Sequence, residues 1–287
     1  MLATSRPDMI RQVLIKDFPT FIDRSVLPLM PTYLRKALAL IEPSQWKRIR
    51  TIVTPIFTSG KLKRIYRGLD KPINQSIENY EQLIAKNGQV DVKEMNKFFA
   101  VDVIAKVVFA CEFNSFKQQD DEFMQQVMAL GKPSKFGFFL TNIFPIWFLK
   151  AAGISVSNEK PKNFFVHRAT ELIEYRRQNP ELNFDDFLQL LMEVETENED
   201  NPEWKRINRE EIIGQALVFF LAGMETISSA LTNTLYELAL HPEWQDKLYE
   251  DIIKSHPEEK FDYEDLNKCK LLDQVLKEVN HSEGEDV

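Results

Sequence analysis

Glu225 and Thr226 put a carboxylic acid beside an alcohol, one helical turn after Ala222-Gly223. Ala-Gly takes side-chain bulk off one helix face, so a flat ligand or another backbone can come close. A glycine inside a helix costs about 1 kcal/mol relative to alanine, so it wants a reason. Thr226 can donate to the carbonyl of Ala222, four residues back, and bend the helix there. An acid and an alcohol so placed can relay protons to a bound oxygen species. The same residues also fit a plainer arrangement, a helix-packing glycine beside a buried, salt-bridged glutamate.

A second constellation lies upstream. Trp46 and Arg50 are four residues apart and share a helix face. An indole N–H and a guanidinium can both donate to an anionic carboxylate. A packed surface aromatic and solvated charges are the plainer alternative. From Pro43 to Leu69 there is no acidic residue, while Lys47, Arg48, Arg50, Lys61, Lys63, Arg64 and Arg67 are all cationic. Such a run is usually a solvated face, and it can also steer an acidic partner. The two cysteines exclude a disulfide scaffold and a cysteine-built zinc module. Cys111, in VVFACEFNSF, falls at a helix end, and Cys269, in LNKCKLLDQV, precedes a short helix. Both read as small buried or half-buried thiols.

Helices must position these groups. Apolar spacing predicts helices over 7–16, from about 44 to 54, after Gly60, from Val92 to about Ala110, and near 120–130, 160–178 and 184–194. An acidic loop, 193–203, separates them from the longest helix. That helix starts near Asn208, where Glu211 completes a capping box, and runs without proline to Leu240. Residues 208–240 would reach about 50 Å. A helix that long and that apolar on every side is expected inside a large protein, and Gln215 and Glu225 argue against a membrane span. Pro242 opens the next helix, and a short one covers 271–277. No strand alternation longer than a few residues and no repeat is visible, so the fold class is mainly α.

Composition agrees. The 287 residues contain 9 Gly and 21 Phe, are 44% hydrophobic, and carry a net charge of −8, which excludes disordered and low-complexity classes. The acidic balance argues against non-specific nucleic-acid binding. MLATSRPDMI has no apolar core, so it reads as neither signal peptide nor anchor. The aromatic stretch 136–149, FGFFLTNIFPIWFL, would reach about 21 Å as a helix, short of a bilayer's roughly 30 Å core. It could lie on a membrane instead, or pack into a core.

In order along the chain, the motifs resemble the cytochrome P-450 family of haem-thiolate monooxygenases. Ala222, Gly223, Glu225 and Thr226 match its A-G-x-E/D-T. The run Leu238-Ala239-Leu240-His241-Pro242-Glu243-Trp244-Gln245 is similar to the segment that follows that motif. Trp46-Lys47-Arg48-Ile49-Arg50 resembles the family's W-x-x-x-R helix. The continuation from Thr54 to Lys63 is like the microsomal, xenobiotic-metabolising family 3 group. Asp102-Val103-Ile104 and Asp186-Phe187-Leu188 fall where the family has similar residues.

The resemblance implies haem as cofactor, with Arg24, Trp46 and Arg50 on its propionates. It implies an oxygen groove at Ala222 and Gly223, and proton delivery by Glu225 and Thr226. It also implies lipophilic small-molecule substrates, an NADPH-dependent flavoprotein reductase docking near the basic run, peripheral membrane contact through 136–149, and the cytosolic face of the endoplasmic reticulum. Without an anchor in this sequence, the chain by itself would be cytosolic. The family's iron-ligating cysteine sits in a loop like F-x-x-G-x-R-x-C-x-G, which neither cysteine here fits. Glu278 matches the glutamate of E-x-x-R, with His281 at the arginine position. The expectation is one incomplete domain over 1–287, lacking the haem-ligand region, with 282–287 a tail foreign to the family and monooxygenase activity absent from the chain alone. The alternative is a non-enzymatic fragment that binds a lipophile, a membrane or a partner.

Overall fold

The computed structural model describes residues 4–22, 33–119, 121–130, 139–140, 143–145, 148–149, 159–197, 206–256, 261–266 and 268–282. Arg24, half of the 136–149 stretch, most of the acidic loop and residues 283–287 lie outside them, as does the side chain of His281. Among the described residues there is no strand.

The helices are α1 (Pro7–Arg11, continued by a π turn to Lys16), α2 (Pro43–Val53), α3 (Ser59–Tyr66), α4 (Asp70–Asn87), α5 (Val92–Phe109) and α6 (Glu122–Leu130). They continue with α7 (Glu159–Gln178), α8 (Phe187–Glu197), α9 (Arg209–Leu240), α10 (Pro242–Ser255), α11 (Tyr263–Leu266) and α12 (Lys270–Ser282). The helix expected after Gly60 starts one residue earlier and is two helices. It breaks at Gly68-Leu69, where a β-carbon on Gly68 would meet Lys106 Cε at 3.1 Å. Gly88, at φ 71°, ends α4 in the left-handed region that glycine tolerates best.

The chain divides into two compact units, residues 1–57, 126–183 and 188–219 in the first and 58–125, 184–187 and 220–287 in the second. In the first unit, Ile49, Ile56, Phe165, Ile173, Leu191, Ile212 and Ala216 are buried. The α9 start is tied down by polar groups. Asn208 N–H donates to Glu211 Oε2 and Glu211 N–H to Asn208 Oδ1, both at 3.0 Å, which is the expected capping box. Gln215, fully buried, accepts from Leu38 N–H and donates to Lys36 C=O, each at 2.8 Å. Gly214 lets that segment approach: a β-carbon there would sit 2.6 Å from Tyr33 O.

In the second unit α5 is the core helix. Val101, Ile104, Ala105, Val108 and Phe109 are buried with Phe220 and Met224 of α9, and Phe109 meets Phe220 with ring centroids 5.9 Å apart. Asp91 caps α5 by accepting from Glu94 N–H at 3.0 Å. Asn96 of α5 accepts from Tyr80 Oη and donates to Thr232 Oγ1, joining α4 and α9.

The expectation for α9 needs correction. Residues 211–217 are buried, but from Ala222 onward one face is exposed: Ala222, Glu225, Thr226, Ser229, Tyr236 and Leu240. Leu235 and Ala239 are exposed too, so the open face widens in the last turns of the helix. By length and composition α9 could cross a membrane, yet half of its most apolar stretch is buried within the protein, as in a core helix.

Candidate functional site

Trp46 and Arg50 both project from α2, which begins at Pro43 in its first turn and gives way to a 3-10 turn over Thr54–Phe57. Trp46 is half-buried with its ring against Phe18, 5.5 Å between centroids, so the packed-aromatic reading holds for its ring. Its indole N–H meets no acceptor among the described residues. Arg50 is exposed and forms no ion pair among them.

Arg48, two residues away, is spoken for. It pairs with Glu211 of α9 through both terminal nitrogens and donates to Arg206 C=O at 2.5 Å. Glu211 is 4% exposed there. The helix therefore sorts its two arginines, one bolting α2 to α9 and one left exposed. Elsewhere in the basic run Lys63 pairs with Glu264 and Arg64 with Asp185 at 2.9 Å. Lys47, Lys61 and Arg67 have no ion-pair partner among the described residues.

In the second unit the acid–alcohol pair lies on the exposed stripe of α9. Thr226 Oγ1 donates to Ala222 C=O at 2.7 Å, the back-bond expected from the sequence. Glu225 is exposed and unpaired among the described residues, so the buried salt bridge of the plainer reading is absent. Gly223 does take the packing role: a β-carbon there would fall 2.4 Å from Ile104 Cδ1 and 2.9 Å from Cγ1. The open face thus belongs to Ala222, Glu225 and Thr226, while Gly223 faces α5.

Neither cysteine is placed as an open metal ligand. Cys269 is buried with its thiol 3.5 Å from Asp265 C=O, and half-buried Cys111 lies 3.7 Å from Phe109 C=O. No group of three or more His, Cys, Asp or Glu among the described residues could hold a metal ion. Trp46 and Arg50 thus offer an indole N–H and a guanidinium without partners among the described residues, while both thiols lie against backbone carbonyls.

Two features escaped the sequence reading. Asp102 is buried and accepts from Ser115 N–H at 2.9 Å and from Ser115 Oγ at 2.5 Å. Burial pushes its carboxyl up to about 6, against the two Ser115 hydrogen bonds that lower it. An open cavity of about 480 Å³ is lined by Leu238, His241, Trp244, Leu271, Val275 and Glu278, among others. No spacing in the sequence announces either: the Asp102–Ser115 bonds join α5 to the turn that follows it, and the cavity lies among α9, α10 and α12.

The described part of the aromatic stretch is open rather than packed. Phe139, Ile143, Phe144 and Phe148 are exposed, with Phe144 and Phe148 stacked at 5.1 Å, and only Leu149 is fully buried.

A profile of the cytochrome P450 family matches residues 1–279. The chain belongs to that family. Cytochrome P450 3A29 of Sus scrofa is 33% identical, over 97% of this chain and 56% of the relative. Cytochrome P450 3A14 of Cavia porcellus is 31% identical over the same shares. Probable cytochrome P450 9h1 of Drosophila melanogaster is 30% identical over 95% of this chain and 56% of that protein. The chain spans little more than half the length of these cytochrome P450 relatives. Membership supports the monooxygenase class, with haem as the family cofactor.

Proposed function

We propose that these residues supply the propionate-binding helix and the proton-delivery helix of a haem monooxygenase that oxidises lipophilic small molecules. The observation that carries this reading is the open face of α9, where an acid and an alcohol sit side by side. Arg50 and the Trp46 indole N–H would hold a haem propionate, and Arg24 is assigned there on sequence alone. Haem, when bound, supplies the iron centre at which the family activates dioxygen.

The chain's own part is proton handling. The Thr226 hydroxyl spends its proton on Ala222 C=O, so its lone pairs accept from a water or ligand O–H. To donate, it must release that carbonyl. Glu225, exposed one residue earlier, exchanges protons with solvent and passes them on through water. Lys47, Lys61 and Arg67 are assigned to an acidic NADPH-dependent flavoprotein reductase, which opposite charge would steer. The exposed aromatics of 139–148 are assigned to the surface of the endoplasmic reticulum membrane, where a lipophilic substrate dissolves.

Cys111 and Cys269 both lie against backbone carbonyls, so these residues would hold haem without a thiolate for its iron and are expected to bind it without turning over. Titration with hemin tests the reading. One hemin per chain, weakened about tenfold by Arg50→Gln and by Trp46→Phe, is expected. Equal affinity in both variants and the parent would remove the propionate assignment.

A further inference from the structure

Ile104 and Gly223 form a tight lock between α5 and α9. Successive residues of an α-helix are turned by about 100°, so direction around the axis can be reckoned from Gly223. On one side of it lie Thr226, Ala222, Ser229 and Glu225, all exposed; on the other lie Phe220, Met224 and Ser228, all buried. Gly223 therefore sits on the seam between the open stripe and the packed stripe. Ile104, itself 6% exposed, fills the space where a side chain of residue 223 would be.

We propose that Ile104 is a positioning residue: by wedging into the seam at Gly223 it fixes which residues of α9 face outward, and so presents Glu225 and Thr226 together. Two facts make the seam a sharp determinant. The contact is too close for any β-carbon on residue 223 without movement of Ile104 or of the helix. The Thr226 back-bond to Ala222 loosens the helix on the open side at the same level, so a push at Gly223 is relieved by rotation or bending there. The functional consequence rests on the proton-delivery reading of Glu225 and Thr226; the rotation itself does not.

Cysteine labelling measures the rotation without haem or turnover. Ser229→Cys and Ser228→Cys are made singly in a Cys111→Ser, Cys269→Ser chain and treated with a maleimide. The exposed position is expected to react about tenfold or more faster, since a buried thiol reacts only on local opening. Gly223→Ala should collapse that ratio several-fold, and Gly223→Ala with Ile104→Ala should restore it, because the nearest remaining Ile104 atom is Cβ at 3.7 Å. If Gly223→Ala alone fails to fold, refolding of the double variant with the parent ratio supports the lock. A parent-like ratio in Gly223→Ala, or a double variant that does not regain it, overturns the proposal. Hemin titration of the same variants reports separately on the haem reading, so either can fail alone.

Discussion

Arg48 and Arg50 show how two like residues on one helix acquire different work. Arg48 neutralises a carboxylate that is 4% exposed, and removing one partner of a buried pair leaves the other charge uncompensated. Arg48→Ala is expected to cost about 3 kcal/mol in chemical denaturation, whereas Arg50→Ala changes stability by less than about 0.5 kcal/mol. Asp102 carries a pH signature. Its carboxyl is raised from 3.8 to about 6, so the folded chain holds the proton more tightly than the unfolded chain. The stability this contributes is fully present below pH 3.8 and is lost as pH rises through about 6. Asp102→Asn keeps an acceptor for Ser115 and should flatten the pH dependence of the unfolding midpoint between pH 4 and 6. An unchanged slope would place the titrating group elsewhere. Thr226→Ala removes a back-bond that bends the helix, so stability should stay level or rise by a few tenths of a kcal/mol.

At the scale of elements, the helix pattern was legible because local chemistry writes it. The Asn208–Glu211 box and Pro242 start helices in the structure as they do in the sequence. The break at Gly68 was not among the expected helix boundaries, and a β-carbon there would meet Lys106 on another helix. Gln215 illustrates the same limit. Its polarity argued against a membrane span, but its bonds to Lys36 and Leu38, 179 and 177 residues away, follow only from packing. Gln215→Leu leaves a buried N–H and C=O unpaired and should destabilise the first unit by about 2 kcal/mol, read as a lower urea midpoint. The candidate site divides likewise. The Thr226 back-bond followed from spacing, whereas the role of Gly223 toward α5 and the freedom of Arg50 against the engagement of Arg48 required the partners to be seen.

For the whole molecule, the balance of exposed apolar surface is the notable property. Phe139, Ile143, Phe144 and Phe148 in the first unit, and Tyr236, Leu240, Trp244 and Tyr249 in the second, stand open. Open aromatic surface of this extent favours a lipid surface or another protein. Phe144→Ser with Phe148→Ser should reduce co-sedimentation with phosphatidylcholine vesicles several-fold while leaving the helical circular dichroism unchanged; equal sedimentation would assign the patch to something other than lipid.

The central proposal is that this cytochrome P450 chain would hold a haem propionate through Trp46 and Arg50 and deliver protons from α9, with no thiolate offered to the iron by Cys111 or Cys269. The absorption spectrum of the hemin-loaded, dithionite-reduced, carbon monoxide-treated chain tests it most directly. The account predicts bound haem without the thiolate-type Soret band, and a spectrum unchanged by Cys111→Ser and Cys269→Ser. A thiolate-type band that disappears in either cysteine variant would contradict it.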